Sequence, residues 1–497
     1  MKLKPRVQRF EQVKTALTNS ILSGKFNPGD RLPSLRDLCA HFHFSLATIQ
    51  RAVHELKEQE WLVSLPQKGI MVSNPLPPMA HLMRLKKNRR ADGAKTHASI
   101  VPAQNGITLK CQIFDEALLP LFDWSAREYS KDYAPCSLRF DVQPLPGRDD
   151  IDAMRNLDAD LMLIPSYTIS YGANLDTITP ADNILINNTE DVFSGIPPGI
   201  VNLVSFRGKR WGMPVMMDGP ILVASEKKCR QFDIDWQRLT DMDSVLTSLE
   251  EASKSAGGKE ISAMLFNLAF PSVLLMSSGH DFPGISHMLK MLSREDVRLF
   301  YERLRALAQN PLIAMNRFDQ WDRADLTKVA IRHQPSGLFC RDPKGREDAH
   351  VLPIPGPGAG RISMSAICMC VSARSVHVYE AWEWAARLGG APFQARLAEM
   401  AYNIPASLDQ EVCRAFEKAI GVENARTLQD LIRRPSCAPG IWDEDARRYH
   451  WEIYGNELYR FIAGVNDYDR MMKRLKTKTE RFIPRSKFSS SIQKRKK

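Results

Sequence analysis

The 497-residue sequence contains no apolar run suited to a membrane span. Its most apolar window, residues 261–279, is interrupted by Asn267, Pro271 and four serines, so we expect a buried helix or loop there. The first residues are basic and lead into an amphipathic stretch, which predicts no signal peptide. These absences favour a cytoplasmic chain without membrane contact.

Cysteines are few and unpaired in their spacing. The nine cysteines are scattered without a Cys-x-x-Cys motif, which is typical of a reduced cytosolic protein. Cys368 and Cys370 have no second pair nearby, so no metal site is predicted. The sequence also lacks Gly-x-Ser-x-Gly, His-Glu-x-x-His and P-loop motifs. We therefore expect neither an enzyme nor a bound cofactor.

Charge is distributed unevenly along an otherwise ordinary globular composition. The chain is 44% hydrophobic, and its length suggests two to four domains of roughly 100–200 residues. Residues 1–90 hold 16 Lys/Arg and 6 Asp/Glu, and residues 470–497 hold 12 Lys/Arg and one Glu. Because the whole chain is +11, residues 91–469 carry a net −10. An acidic body with two basic ends suits a polyanion such as nucleic acid.

The first 73 residues have the pattern of a small helical domain. Apolar spacing predicts helices at 7–22, 35–41 and 46–58, with Ser34 and Ser45 as caps of the second and third. Short strands are expected at 61–64 and 70–73, around a turn rich in turn-forming residues. Three helices followed by a β-wing form the winged helix-turn-helix plan. Residues 74–106, which are Pro-containing and basic, are interpreted as a linker.

From residue 107 the pattern alternates between strands and helices. Alternation of this kind predicts a parallel sheet covered by helices, and about 360 residues favour two lobes over one. The expected α/β domain covers residues 107–469, and the basic tail 470–497 is expected to be disordered. The predicted strands are 107–114, 136–142, 160–164, 221–224 and 351–354, and the predicted helices are 116–131, 149–157, 241–256, 293–308, 376–388 and 392–401.

Residues 7–73 resemble the DNA-binding domain of the GntR family of bacterial transcription regulators. The resemblance lies in the runs 24–38 and 45–56, in Trp61-Leu62 and in Gly69. It implies a recognition helix in the major groove of duplex DNA and a dimer on paired half-sites. Many family members have Arg where Leu46 and Gln50 stand here, and the basic linker or tail is a hypothetical substitute for the lost phosphate contacts. The implied DNA-binding residues are Arg31, Arg36, Ser45, Thr48, Gln50, Arg51, Lys68 and Gly69.

The larger part resembles the solute-binding proteins of ABC importers, chiefly the carbohydrate-binding branch. The resemblance rests on the segments 159–166, 210–222, 352–357, 381–384, 392–394 and 403–406. It implies a two-lobed, periplasmic-binding-protein-like α/β domain that closes on a small solute by hinge bending. An aminotransferase-like domain with pyridoxal phosphate is the alternative, but no convincing lysine region for that cofactor is present.

The resemblance implies a ligand site built from polar and aromatic side chains. The candidate ligand-binding residues are Asp115, Ser166, Tyr167, Asp218, His280, Asp281 and Trp321. Structural alternatives are helix capping for Asp115, surface packing for Tyr167 and turn formation for Asp218. The structural alternative for His280 and Asp281 is a position in a loop, and that for Trp321 is packing in the core. Trp382 and Trp384 are assigned to the core.

Taken together, the sequence predicts a cytoplasmic DNA-binding regulator whose second domain senses a small polar metabolite. A sugar or sugar-like compound is the favoured ligand. Two commonly conserved family features are missing at 336–339 and 362–364, where a Trp and paired glycines are usual, so other polar solutes stay open. A third interpretation is a DNA-tethered interaction protein whose cleft binds nothing. Operator, ligand identity and the direction of regulation are left undetermined.

Overall fold

The computed structural model describes most of the chain as two compact units. The described residues are 9–22, 25–58, 61–65, 69–73, 95–97, 107–132, 136–142, 158–181, 192–255, 262–267, 285–309, 313–316, 329–353, 364–433 and 449–494. The first unit contains the N-terminal helices, and the second contains the elements from residue 95 onward. The predicted helix at 149–157 and most of the predicted linker lie outside the described residues.

The first unit consists of three helices and a hairpin, as the sequence predicted. Its elements are α1 (Arg9–Leu22), α2 (Leu35–Phe42), α3 (Leu46–Glu58), β1 (Leu62–Leu65) and β2 (Gly69–Val72), with β1 and β2 antiparallel. Ser34 caps α2 in a reciprocal capping box with Asp37, and His43 ends that helix in the left-handed conformation. Val13, Ile49 and Leu56 are fully buried between the helices, which fixes the opposite side of α3 toward solvent.

The first lobe of the second unit is built on a seven-stranded sheet in the order β16-β9-β15-β6-β4-β5-β3. Its strands are β3 (Lys95–His97), β4 (Ile107–Ile113), β5 (Cys136–Val142), β6 (Leu161–Pro165), β9 (Met213–Asp218), β15 (Ser365–Val371) and β16 (Ile404–Pro405), and a separate hairpin pairs β7 (Ser205–Phe206) with β8 (Lys209–Arg210). The helices α4 (Leu119–Asp132), α5 (Ile169–Asn174) and α6 (Pro198–Leu203) follow its early strands.

The second lobe is built on a five-stranded sheet in the order β12-β11-β13-β10-β14. Its strands are β10 (Pro220–Ser225), β11 (Ser262–Asn267), β12 (Ile313–Asn316), β13 (Val329–Pro335) and β14 (Ala349–Val351). The helices between them are α7 (Glu226–Gln231), α8 (Met242–Ser255), α9 (Ile285–Leu292), α10 (Glu295–Ala308), α11 (Ser336–Cys340) and α12 (Pro343–Arg346). The expectation of a helix or loop within 261–279 is wrong for residues 262–267, which form β11.

The remaining helices cover both lobes. They are α13 (Val378–Arg387), α14 (Ala391–Glu399), α15 (Gln410–Ile420), α16 (Val422–Arg433), a π-helical turn (Tyr449–Tyr454), α17 (Gly455–Ile462) and α18 (Tyr468–Lys494). Trp382 and Trp384 of α13 are buried in the first core, which confirms their assignment to packing. No helix in the part of the chain described here is long and apolar enough to cross a membrane.

Neither sheet is purely parallel, so the parallel prediction is wrong in part. β4 runs parallel to β5 and β6, and β11 runs parallel to β12 and β13. β15 is antiparallel to β6, and β10 is antiparallel to β13. The reason is connectivity: β10 begins directly after β9 ends, and β15 enters the first sheet after β14 of the second. A strand that arrives from the other lobe runs away from their junction, whereas the neighbouring strands run toward it.

The expectation of a disordered tail is also wrong for α18, which spans Tyr468–Lys494. Met471 and Leu475 of this helix are fully buried in the second core. Glu457 of α17 is buried beneath it, accepts a hydrogen bond from Arg474 Nε (2.8 Å) and lies 2.7 Å from Lys478 Nζ. Burial alone would raise the pKa of Glu457, but these two cations outweigh it and lower that pKa. The apolar periodicity of residues 468–482 was the overlooked signal.

His333, on the central strand β13, should make the stability of the second lobe depend on pH. The ring is 2% exposed, its Nδ1 has no hydrogen-bond partner among the described residues, and burial lowers its pKa to about 4. Below about pH 6.5 the unfolded chain takes up a proton that the folded chain excludes until about pH 4, so acid removes stability. We expect the free energy of unfolding, measured by denaturant titration, to fall by about 2 kcal/mol between pH 7 and pH 5.

The His333→Leu variant should lose most of this pH dependence, because no histidine then remains buried there. The exposed residue His54 provides the matched control, and His54→Leu should keep the wild-type dependence. Equal pH dependence in wild type and His333→Leu would show that other groups cause it.

Candidate functional site

The exposed side of α3 is uncharged near the start of the helix. Leu46 is 47% exposed, Gln50 is exposed and Thr48 is half-buried. Ser45 precedes the helix, and its Oγ lies 2.9 Å from Thr48 Oγ1 and accepts the Thr48 amide at 3.4 Å. This contact orients Thr48 through its hydroxyl. The start of α3 therefore presents groups suited to base edges rather than to phosphates.

Two of the predicted DNA-binding arginines, Arg31 and Arg36, form no ion pair among the described residues. Arg36 is exposed in the first turn of α2, and Asp37 beside it is engaged by the Ser34 cap. Arg31 forms a backbone bridge to Met71, and its guanidinium packs over Gly69, which has a φ of +84°. A Cβ at Gly69 would lie at ordinary contact distance from Arg31 Nε (3.4 Å), so it is the positive φ that favours glycine here.

Arg51 is the candidate least available to DNA. Its guanidinium carbon lies 3.8 Å from the centroid of the Phe10 ring, and its Nε lies 3.9 Å from Glu55. These contacts hold the side chain against α1. Lys68 lies outside the described residues.

The seven-stranded sheet brings four of the predicted ligand residues to one edge. β4 and β6 are parallel, and Asp115 and Ser166-Tyr167 follow their carboxyl ends. β9 ends at Asp218, which is paired with Ser365 at the start of β15. β13 of the second lobe ends opposite Pro220, the first residue of β10. The two sheets therefore meet along this edge, which we call the interlobe edge.

Asp115 is the centre of a contact cluster across the interlobe edge. Its carboxylate accepts the Ala117 amide at 3.0 Å and the Tyr402 hydroxyl at 2.5 Å. Arg341, which follows β13 and α11, lies 3.7 Å from the same carboxylate and 4.5 Å from the Tyr402 ring centroid. Burial and the hydrogen bond to Asp115 raise the pKa of Tyr402. Asp115 therefore caps the following helical turn, as its alternative role predicted, and also contacts Arg341 from the segment between β13 and β14.

Asp218 belongs to a second cluster, at the strand crossing. Its Oδ1 accepts from Ser336 Oγ (3.1 Å) and from the Gly337 amide (3.3 Å). Ser336 is fully buried and also contacts Asn403 Oδ1 at 3.1 Å. A Cβ at Gly337 would lie 2.9 Å from Asn403 Nδ2. A side chain at position 337 would therefore require Asn403 to shift.

Ser166 and Tyr167, both at the interlobe edge, differ in their exposure. Ser166 is 1% exposed, and its hydroxyl accepts the Ala366 amide at 3.1 Å, which positions the start of β15. Tyr167 is half-buried. His280, Asp281 and Trp321 lie outside the described residues. Tyr402 and Arg341 were not among the residues predicted from the sequence, although the neighbouring segment 403–406 was part of the family resemblance.

Cysteine and carboxylate placement offers no metal cluster within the residues that the structure describes. Cys368 and Cys370 are buried in β15 with their sulfur atoms 3.8 Å apart. Burial raises the pKa of Cys368, which favours the neutral thiol.

Comparison with known families identifies the first unit. The family described as "Bacterial regulatory proteins, gntR family" matches residues 9–72. The Histidine utilization repressor of Klebsiella aerogenes is 44% identical over 66 residues, 13% of this chain and 27% of that protein. The Arabinose metabolism transcriptional repressor of Geobacillus stearothermophilus is 29% identical over 69 residues, 14% of this chain and 19% of that protein. The chain thus spans about a quarter or less of these relatives.

Solved structures identify the fold of the second unit. The sugar-binding protein MalE from Xanthomonas citri superposes with a TM-score of 0.62 at 14% identity, over 77% of this chain and 99% of that one. UgpB from Mycobacterium tuberculosis, solved with glycerophosphocholine, gives 0.63 at 12% identity, over 76% and 99%. The chain therefore joins a GntR-type winged helix-turn-helix domain to a domain with the two-lobed fold of ABC solute-binding proteins. The aminotransferase-like alternative is not compatible with this fold.

The Asp115→Ala variant should be less stable than wild type by about 2 kcal/mol. The change removes a helix cap and leaves the buried Tyr402 hydroxyl without its acceptor. Adding Tyr402→Phe removes that orphaned hydroxyl, so the double variant should cost less than the sum of the two single changes. Denaturant titration of all four proteins measures this coupling. Strict additivity would show that the hydrogen bond contributes nothing.

Proposed function

We propose that the chain is a cytoplasmic, non-catalytic transcription regulator that responds to a small polar metabolite. One observation carries this proposal: a GntR-type DNA-binding unit and a two-lobed solute-binding fold occur in one polypeptide. The DNA-binding unit would bind operator DNA through Thr48, Gln50 and Arg36. A homodimer on paired half-sites would present two such units.

The ligand would bind at the interlobe edge and close the lobes. Asp115, Tyr167 and Asp218 supply polar groups there, and Arg341 and Tyr402 add a cation and an aromatic ring. A ligand that contacts both lobes stabilises the closed state because that state makes more contacts with it. MalE from Xanthomonas citri is described as sugar-binding, and a solute-binding protein from Agrobacterium vitis was solved with D-mannitol. These neighbours support a sugar, a polyol or a related compound as ligand.

A thermal-shift screen of sugars, polyols and their phosphate esters tests ligand binding directly. Selection from random duplexes then yields an operator. The affinity of the protein for this operator is measured with and without a saturating ligand. We expect a change of about 5–150-fold, the usual range for allosteric coupling. Constant operator affinity with the cleft saturated would contradict coupling. A screen without any hit would favour a DNA-tethered interaction protein with an inactive cleft.

A further inference from the structure

The last helix carries positive charge that neither candidate site uses. α18 spans 27 residues and is therefore about 40 Å long. The segment 470–497, which contains most of it, holds 12 Lys/Arg and one Glu. The segment 91–469 has a net charge of −10 and would therefore repel nucleic acid. The positive charge of α18 therefore contrasts with the net negative charge of the rest of the second unit.

One side of α18 is fixed to the second lobe. Met471, Leu475 and Thr479 are buried there, and Thr479 Oγ1 lies 2.6 Å from the Tyr449 hydroxyl. Arg474 and Lys478 form ion pairs with the buried Glu457. These five side chains recur every three or four residues and so define the packed side.

The opposite side of α18 presents cations to solvent. Arg470, Lys473 and Lys476 are exposed, and none forms an ion pair within the described residues. We call these three residues the basic face. Two acids share this side: Asp469 lies 3.3 Å from Arg298, and Glu480 is exposed. Positive charge therefore exceeds negative charge on the solvent side.

We propose that the basic face of α18 binds the phosphate backbone of duplex DNA flanking the operator. The inference rests on the proposed DNA-binding function of the chain. The start of α3 exposes neutral side chains, so phosphate-neutralising charge must come partly from elsewhere. Backbone contacts need cations at suitable spacing but no base-specific groups, and the basic face offers that chemistry.

The test compares salt dependence in full-length proteins. The triple variant Arg470→Gln, Lys473→Gln, Lys476→Gln is titrated by fluorescence anisotropy against a 40-base-pair duplex carrying the selected sequence at its centre. The control triple variant, Lys209→Gln, Lys344→Gln, Lys418→Gln, removes the same charge from exposed sites elsewhere. Thermal melting verifies that both variants stay folded, since all six side chains are exposed.

We expect the plot of log affinity against log salt concentration to become shallower by up to about 2.7 for the basic-face variant, because each lost phosphate contact removes about 0.9. Affinity at low salt should fall roughly tenfold or more, while the control triple variant keeps the wild-type slope. Equal slopes for both variants would overturn the inference and leave the proposed function intact if wild type still binds DNA. Failure of wild type to bind any duplex would overturn both. Loss of binding to phosphatidylglycerol vesicles with unchanged DNA titration would assign the surface to lipid instead and also overturn it.

Discussion

The Gln394→Leu variant should lose more than about 4 kcal/mol of unfolding free energy, the largest effect we expect from any single change. Gln394 is fully buried, and its Nε2 donates to the carbonyl oxygens of Val215 (2.9 Å) and Leu388 (2.7 Å). Its Oε1 accepts the amides of Ala406 and Ser407 at 2.9 and 3.3 Å. Leucine satisfies none of these four backbone groups, and each orphaned group costs about 1–3 kcal/mol.

Denaturant titration followed by tryptophan fluorescence measures this loss, since Trp382 and Trp384 lie in the same core. The matched control is Gln410→Leu, at an exposed position at the start of α15, which should change stability by less than about 0.5 kcal/mol. A loss below about 1 kcal/mol for Gln394→Leu would show that the loop 404–407 holds its position without the amide.

The Gln50→Ala variant should bind its selected operator about 10–100-fold more weakly. The exposed amide near the start of α3 can pair in bidentate fashion with adenine, and such a pair discriminates by about 1–3 kcal/mol. Because the amide is neutral, affinity for non-specific duplex and the salt dependence should stay unchanged. Selection with the variant should lose preference at one base pair per half-site.

The contrast with Arg36→Ala separates the two kinds of contact. Arg36 is charged and unpaired in the described residues, so its loss should lower specific and non-specific affinity together if it contacts phosphate. Gln410→Ala serves as the matched amide control. Equal weakening of specific and non-specific binding by Gln50→Ala would contradict a base-reading role.

The two contact clusters at the interlobe edge differ in which parts of the chain they join. Arg341 comes from the segment between β13 and β14, whereas Asp115 and Tyr402 belong to the first lobe. Their contact does not depend on a shared strand, so under the proposed function we expect it to change on lobe closure. Asp218 and Ser336 lie instead where strands of the two sheets meet, and Asn403, which precedes β16 of the first sheet, shares the Ser336 hydroxyl with Asp218.

Much of the local structure was predictable because local periodicity determines it. The spacing of Val13, Leu17 and Ile21 predicts α1, and the caps Ser34 and Ser45 locate the starts of α2 and α3. The strand predicted at 136–142 matches β5 in both bounds. The helix in 468–494 was missed because its basic composition outweighed the apolar spacing of Met471 and Leu475 in the prediction.

The sequence by itself determined that a basic, mainly helical domain is followed by an acidic α/β domain. Charge and apolar spacing reveal this because they can be read from residues that are close together in the chain. Only the tertiary structure decided that β10 and β15 run against their neighbours, that Tyr402 meets Asp115 from 287 residues away, and that Gln394 closes four backbone hydrogen bonds. These features depend on where the chain passes from one lobe to the other. The spacing of apolar residues within a single helix or strand does not reveal that position.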